Sequence, residues 1–182
     1  MGGERELALA GAAAKGLLAA AGWTVEDAVL RDLDIAGCHG CFGCWVRTPG
    51  ECVIDDPGRD IARMAAGSDL AIWLTPVTFG GYSSHLKRAV DRMIPNLLPF
   101  FTTVEGVTRH TLRYDKAQRL MAVGLLREPD EAAERLFRAL VEHNAANFHS
   151  PGRGAALVRA GADESEVAAV VRDGLSAAGV AL

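Results

Sequence analysis

Short apolar runs that alternate with amphipathic stretches at helical spacing constrain this chain more than any other feature. Leu70-Ala71-Ile72-Trp73-Leu74 is continuously apolar, as expected of a strand covered on both faces of a parallel sheet. Leu120 to Leu126 and Ala155 to Val158 read as strands of the same kind, and Thr24 to Leu30 as a fourth. Between them, Leu7, Ala10, Ala14, Leu17 and Leu18 share one helical face, as do Ile61, Met64 and Ala65, then Leu86, Ala89, Val90, Met93 and Leu97. Two further helices align Ala133, Leu136, Phe137, Leu140 and Val141, then Val167, Val170, Val171 and Leu175. Asp163 with Glu166 three residues on is a capping-box start, and Asp56 before Pro57 reads as an N-cap. Ser83 or Ser84 caps the helix that Pro95 kinks or ends. Residues Phe100 to Gln118 are irregular or a β-hairpin. This alternation predicts an α/β fold: a doubly wound parallel sheet of four strands with helices on both faces, in three layers.

Length and charge bound the function. The chain has 182 residues, so a single domain over residues 1–182 is expected. Its net charge is −4 with both signs interspersed, which argues against nucleic acid as a partner. No apolar run approaches the roughly 20 residues of a membrane span. The first residues lack the apolar core and cleavage site of a signal peptide. A cytoplasmic protein with reduced thiols is the expectation.

Those thiols carry the chemistry. All four cysteines fall in one stretch, Cys38, Cys41, Cys44 and Cys52, spaced C-x2-C-x2-C-x7-C. A tight triple with a more distant fourth is the spacing that holds an iron–sulfur cluster. Zinc suits it less, because its all-cysteine sites come as two knuckles separated by a longer spacer. A packed loop of reduced thiols, with or without redox activity of its own, is the competing reading.

Two segments narrow the fold further. Ile35-Ala36-Gly37-Cys38-His39-Gly40-Cys41-Phe42-Gly43-Cys44-Trp45, continuing from Gly50 to Asp56, resembles the cysteine loop of the flavodoxin-like NADPH-dependent FMN reductase and iron–sulfur flavoprotein families. Thr75-Pro76-Val77-Thr78-Phe79-Gly80-Gly81-Tyr82-Ser83-Ser84, continuing to Asp91-Arg92, resembles the flavin-ring loop of those families and its following helix. The resemblance covers almost the whole chain. It implies a flavodoxin-like fold and an enzyme that passes electrons from NAD(P)H or ferredoxin, through FMN, to a small-molecule or protein acceptor. It implies Pro76, Val77, Thr78, Phe79, Gly80 and Gly81 around the flavin, and Cys38, Cys41, Cys44 and Cys52 as ligands of a [4Fe–4S] cluster. A homodimer or homotetramer is implied as well; no residue is assigned a catalytic role.

One family element is missing. Such proteins open with a strand and a Ser-rich phosphate loop, of which Gly2-Gly3 looks like the tail. Without that strand, neighbours about 4.8 Å apart would be replaced by a gap of roughly 10 Å with unpaired backbone. A start downstream of the natural one, direct pairing of Thr24 to Leu30 with the next strand, or a strand from another chain are the alternatives. Each leaves the phosphate site open. A non-enzymatic subunit that has lost this site is the competing function. Among single residues, His39 is a tuning group or a plain loop histidine, and Lys87 and Arg88 a solvated helix face. His110 and Tyr114 are read as pocket or dimer residues, and Trp23 and Trp73 as core.

Overall fold

The computed structural model describes residues 4–104 and 106–182. In chain order it contains α1 (Glu4–Ala20), a 3-10 turn (Leu30–Asp32), α2 (Gly43–Val46), α3 (Gly58–Gly67) and β1 (Leu70–Pro76). Next come α4 (Ser84–Asp91), a second 3-10 turn (Ile94–Asn96), β2 (Leu97–Val104) and β3 (Val107–Leu112). The chain then forms β4 (Arg119–Leu126), α5 (Glu131–Asn147), β5 (Arg153–Arg159) and α6 (Glu164–Ala177).

Strands β1, β4 and β5 form one parallel sheet in the order β1-β4-β5, with Leu70 opposite Arg119 and Leu120 opposite Arg153. Strand β4 is central, and every residue after Arg119 in it is buried. Because successive side chains of a strand point to opposite faces, β4 feeds two cores. Leu120 and Ala122 pack with Trp73, with Ile61 of α3, Leu86 of α4 and Phe137 and Val141 of α5. Met121, Val123 and Leu125 pack with Ala10, Ala14 and Leu18 of α1 and with Val167, Val171 and Leu175 of α6. The result is the expected three-layer α/β/α arrangement, consistent with a flavodoxin-like fold.

Local signals set the helix ends. Asp163 and Glu166 form a reciprocal capping box on α6, and the Asp130 carboxylate accepts from Ala133 N–H to start α5. Helix α4 stops at Asp91 instead of running to Leu97, since Pro95 lies in the 3-10 turn that follows. Asp56 acts one residue further out than expected: Pro57 is the N-cap of α3, and the Asp56 carboxylate accepts from Gly58 N–H at 2.8 Å. Strands β2 and β3 pair antiparallel, with Phe101 opposite His110.

The sheet corrects one expectation: the described residues contribute three parallel strands, not four. Thr24 to Leu30 does not form a strand, and its last residue begins the 3-10 turn at Leu30. A strand exists only where a neighbour completes its ladder. Strand β1 pairs on one side alone, with β4, and nothing among the described residues bridges it to the 24–30 segment. Direct pairing of that segment with β1 is thereby excluded. The expected phosphate-loop remnant, Gly2-Gly3, lies outside the described residues. Among those described, no helix is long and apolar enough to cross a membrane.

Candidate functional site

The segment after β1 carries the first half of the site. Val77 N–H donates to Leu125 C=O at 2.9 Å, extending the β1–β4 ladder one residue past the strand. The chain then reverses: Thr78 N–H donates to Gly81 C=O at 3.0 Å, and Gly81 N–H returns a bond to Thr78 C=O at 2.8 Å. Phe79 and Gly80 at the tip both have positive φ, 50° and 77°, as a two-residue type I′ turn requires. Glycine suits the second position for a further reason. A Cβ at Gly80 would lie 2.6 Å from the Cβ of Leu136 on α5. Phe79 has no such excuse: a bulky residue at positive φ is strained, and its side chain is 98% exposed. Buried Thr75 ties the ends of the loop, its hydroxyl accepting from Ser83 N–H at 2.9 Å. Ser83 in turn caps α4 by accepting from Leu86 N–H. Bonds within the turn leave the Phe79 and Gly80 N–H groups as its unused backbone donors, whereas that of Gly81 is engaged by Thr78.

The second half is the cysteine loop. Gly40 and Phe42, at φ 63° and 53°, turn the backbone so that amides meet sulfurs. Gly40 N–H donates to Cys38 Sγ at 3.4 Å and Gly43 N–H to Cys41 Sγ at 3.5 Å. Cys38 and Cys41 are exposed, Cys52 is half-buried and Cys44, on α2, is buried. The far end of the loop folds back on the triple, since a Cβ at Gly43 would sit 2.6 Å from Val53 Cγ1. Burial pushes the Cys44 thiol up, and the charges of Cys52, Cys38 and Cys41 push it further. All three other thiols thus lie within the field of Cys44. Among the described residues, however, no three His, Cys, Asp or Glu side chains stand in metal-ligating geometry. Sulfur-accepting amides and four thiols on one folded-back loop suit thiolate ligation by their chemistry, but the structure does not gather them into one ligand group.

Both halves are fastened to α4. Arg92, immediately after it and 1% exposed, forms a two-pronged pair with Asp56 at 2.8 and 2.9 Å. Its guanidinium also donates to Ala36 C=O at 2.9 Å and to Ile54 C=O at 3.1 Å. These acceptors stand two residues before Cys38 and two after Cys52, so one cation closes the loop that bears the thiols. Arg59 on α3 adds a bond from Nε to Cys52 C=O at 2.8 Å. Trp45 donates to Leu97 C=O at 2.9 Å, pinning α2 to the hairpin.

The other flagged residues divide. Lys87 pairs with Asp91 on the helix surface and Arg88 donates to Ile35 C=O at 3.3 Å, so neither faces the ligand loop as a free cation. His39 is exposed. His110 lies between the rings of Trp45 and Phe101, with centroids 5.0 and 4.4 Å away. Tyr114 borders a groove of about 500 Å³ that also touches Cys52, Arg59 and Asn96. Trp73 is core; Trp23 is half-buried against the α1–α6 side. Sequence reasoning missed the roles of Arg92 and Asp56 as a buried pair. The dipeptide Asp91-Arg92 was visible, but spacing cannot distinguish a buried arginine from a solvated one.

Comparison with known proteins identifies relatives by sequence. An iron–sulfur flavoprotein of Archaeoglobus fulgidus is 33% identical over 74 residues, 41% of this chain and 33% of that protein. An iron–sulfur flavoprotein of Methanocaldococcus jannaschii is 34% identical over 83 residues, 46% of this chain and 42% of that protein. The matches therefore span less than half the length of these curated relatives. No solved structure matches the chain. The family profile described as NADPH-dependent FMN reductase matches residues 4–159, which include β1, the turn after it and the cysteine loop. The chain belongs to the NADPH-dependent FMN reductase family.

Proposed function

We propose that this protein is an FMN-dependent oxidoreductase whose flavin lies against the Thr75 to Gly81 loop and whose four cysteines hold a [4Fe–4S] cluster. One observation carries the reading: α4 fastens both loops, through Ser83 at its start and Arg92 just past its end. Pro76, Val77, Thr78, Phe79, Gly80 and Gly81 are the residues that would hold the ring, with the Phe79 and Gly80 amides as donors to its polar edge. Cys38, Cys41, Cys44 and Cys52 are the ligands that would hold the cluster. The flavin supplies hydride acceptance and release of electrons singly or in pairs, while the protein supplies position and potential. This chain's residues keep the turn rigid through Thr75 and Leu136 and hold the thiols together through Arg92 and Arg59.

The net reaction takes a hydride, two electrons and one proton, from NADPH or NADH, leaving the oxidised nicotinamide. With one proton from solvent, a small-molecule acceptor gains two hydrogens; alternatively, two one-electron protein acceptors gain one electron each and the proton is released. Reduced ferredoxin is the other donor class, delivering one electron per encounter. A cytoplasmic homodimer or homotetramer completes the reading. The exposed Phe100 and Phe101 on the hairpin are apolar side chains that self-association would cover.

Anaerobic reconstitution with FMN, iron and sulfide tests it. The expected product quenches flavin fluorescence, carries about four irons per chain with broad absorbance near about 400 nm, and oxidises a reduced nicotinamide. Protein that binds neither FMN nor iron supports the non-enzymatic subunit instead.

A further inference from the structure

The groove of about 500 Å³ that Tyr114 borders has no part in the proposed reaction. Helix α3 forms one wall, with Ala62 and Ala66 a turn apart, and the loop at Gly50 and the 3-10 turn at Pro95 form others. Volumes of this order hold small organic molecules. The short side chains on α3 leave the space open. Asn96 fixes its width, donating from Nδ2 to Ala62 C=O at 2.9 Å and so tying the 3-10 turn to α3.

The charges along the groove are unevenly matched. Arg59 and Arg63 line it as cations, and Glu51 is the one carboxylate among the lining residues. Asp55 and Asp60, which do not line the groove, orient the two arginines: Arg59 Nη1 donates to Asp55 at 2.9 Å and Arg63 Nη1 to Asp60 at 2.5 Å. Glu51 meets both cations from within, but loosely. Its Oε1 lies 3.3 Å from Arg63 Nη2 and 4.0 Å from Arg59 Nε, against about 2.7–2.9 Å for a well-made charge-assisted bond. With its side chain 47% exposed, Glu51 can swing away into water. A carboxylate of the chain itself thus fills, poorly, a place between two guanidiniums that other acids hold in position.

We propose that this groove is a binding site for a small carboxylate with a compact apolar body, and that Glu51 is its built-in competitor. The ligand carboxylate takes the place of Glu51 against Arg63 and Arg59, and the apolar body covers Ala62, Ala66 and the Tyr114 ring. Guanidinium N–H groups match a planar, two-oxygen anion, whereas an uncharged molecule has no means of displacing Glu51. The exchange breaks two long contacts and returns Glu51 to solvent, so the charge within the groove is the same before and after. This site stands apart from the flavin and the cluster, and its test needs neither.

Titration of the isotope-labelled chain with benzoate, followed by amide chemical shifts, tests the proposal. Benzoate is expected to move the Glu51, Ala62, Ala66 and Gly67 amides saturably. Benzyl alcohol, with the same ring and no charge, should leave them in place. Arg63→Gln should weaken benzoate binding about tenfold, the loss of one charge-assisted bond. Glu51→Gln should tighten it severalfold, because the competitor loses its charge. Both side chains lie at the surface, so both variants are expected to fold, and unmoved shifts elsewhere in their spectra verify it. Groove amides that do not respond saturably to benzoate, or that respond equally to benzyl alcohol, overturn the site. Unchanged affinity in Arg63→Gln, or unchanged or weaker affinity in Glu51→Gln, overturns the exchange at the arginines and the proposal with it.

Discussion

The carboxylate of Asp56 accepts from Ala36 N–H, Gly58 N–H and both terminal nitrogens of Arg92. Burial by itself would raise its pKa. The Arg92 hydrogen bonds, the two amides and the Arg92 charge outweigh that and leave it below the ordinary aspartate value. A depressed pKa in the folded state contributes stability that is present above the unfolded-state value and lost as pH falls through the folded one. Unfolding free energy of the wild type should therefore decline below about pH 4, and Asp56→Asn should flatten that decline in urea titrations at several pH values. Identical pH slopes would show that Asp56 is not the linked group. Asp56→Ala should cost about 3–5 kcal/mol, because it strands the Arg92 charge in the interior. Phe79 makes the opposite case, since its strain at φ 50° is offset by no contact that its exposed ring makes in the chain itself. Strain of this kind persists where function needs it. Phe79→Gly should leave stability unchanged or raise it by about 1 kcal/mol, while weakening FMN binding in fluorescence titrations. Undiminished FMN affinity would remove Phe79 from the ligand site.

At the scale of elements, the tightest seam lies between α6 and β5. A Cβ at Gly154 would sit 2.3 Å from the backbone oxygen of Gly174, which cannot yield without moving the helix. A Cβ at Gly174 would meet Met121 Cε at 2.3 Å, the far end of a side chain that can swing aside. The two glycines face each other across the seam, yet they should respond differently. Gly154→Ala is expected to cost about 1–3 kcal/mol or more by overpacking. Gly174→Ala should cost less, since helix propensity returns about 1 kcal/mol. Chemical denaturation of both variants checks the order, and a costlier Gly174→Ala would mean that Met121 is held more rigidly than its flexibility suggests. Elements also show what pattern reading captured. The runs behind β1, β4 and β5, the capping box of α6 and the Asp130 start of α5 all stood in the sequence. Each depends on residues a few positions apart. The 24–30 segment did not follow its local preference, because its fate depends on a ladder partner far away in sequence.

For the molecule as a whole, the proposed flavin is a stability question as well as a chemical one. A ligand that binds only the folded state stabilises it by mass action, about 2.7 kcal/mol at a hundredfold excess over its dissociation constant. For a chain of 182 residues that corresponds to a rise in melting temperature of roughly 5–10 °C. Thermal melts with and without added FMN read this directly, and an unchanged midpoint at saturating FMN would count against the Thr75 to Gly81 site. Such a site was half legible beforehand. The Thr75 to Gly81 loop and the cysteine spacing are local strings, and the period of the apolar runs dictates a layered parallel sheet, so the amino-acid order alone was enough for the fold class and for both candidate loops. Folding decided what order could not express. It left the 24–30 segment without a ladder, assigned the Gly81 amide to the turn and buried Arg92 between the two ends of the cysteine loop. The reason is physical: propensity, capping and periodicity act within a few residues, whereas strand pairing and the burial of a charge depend on groups that only the assembled chain brings together.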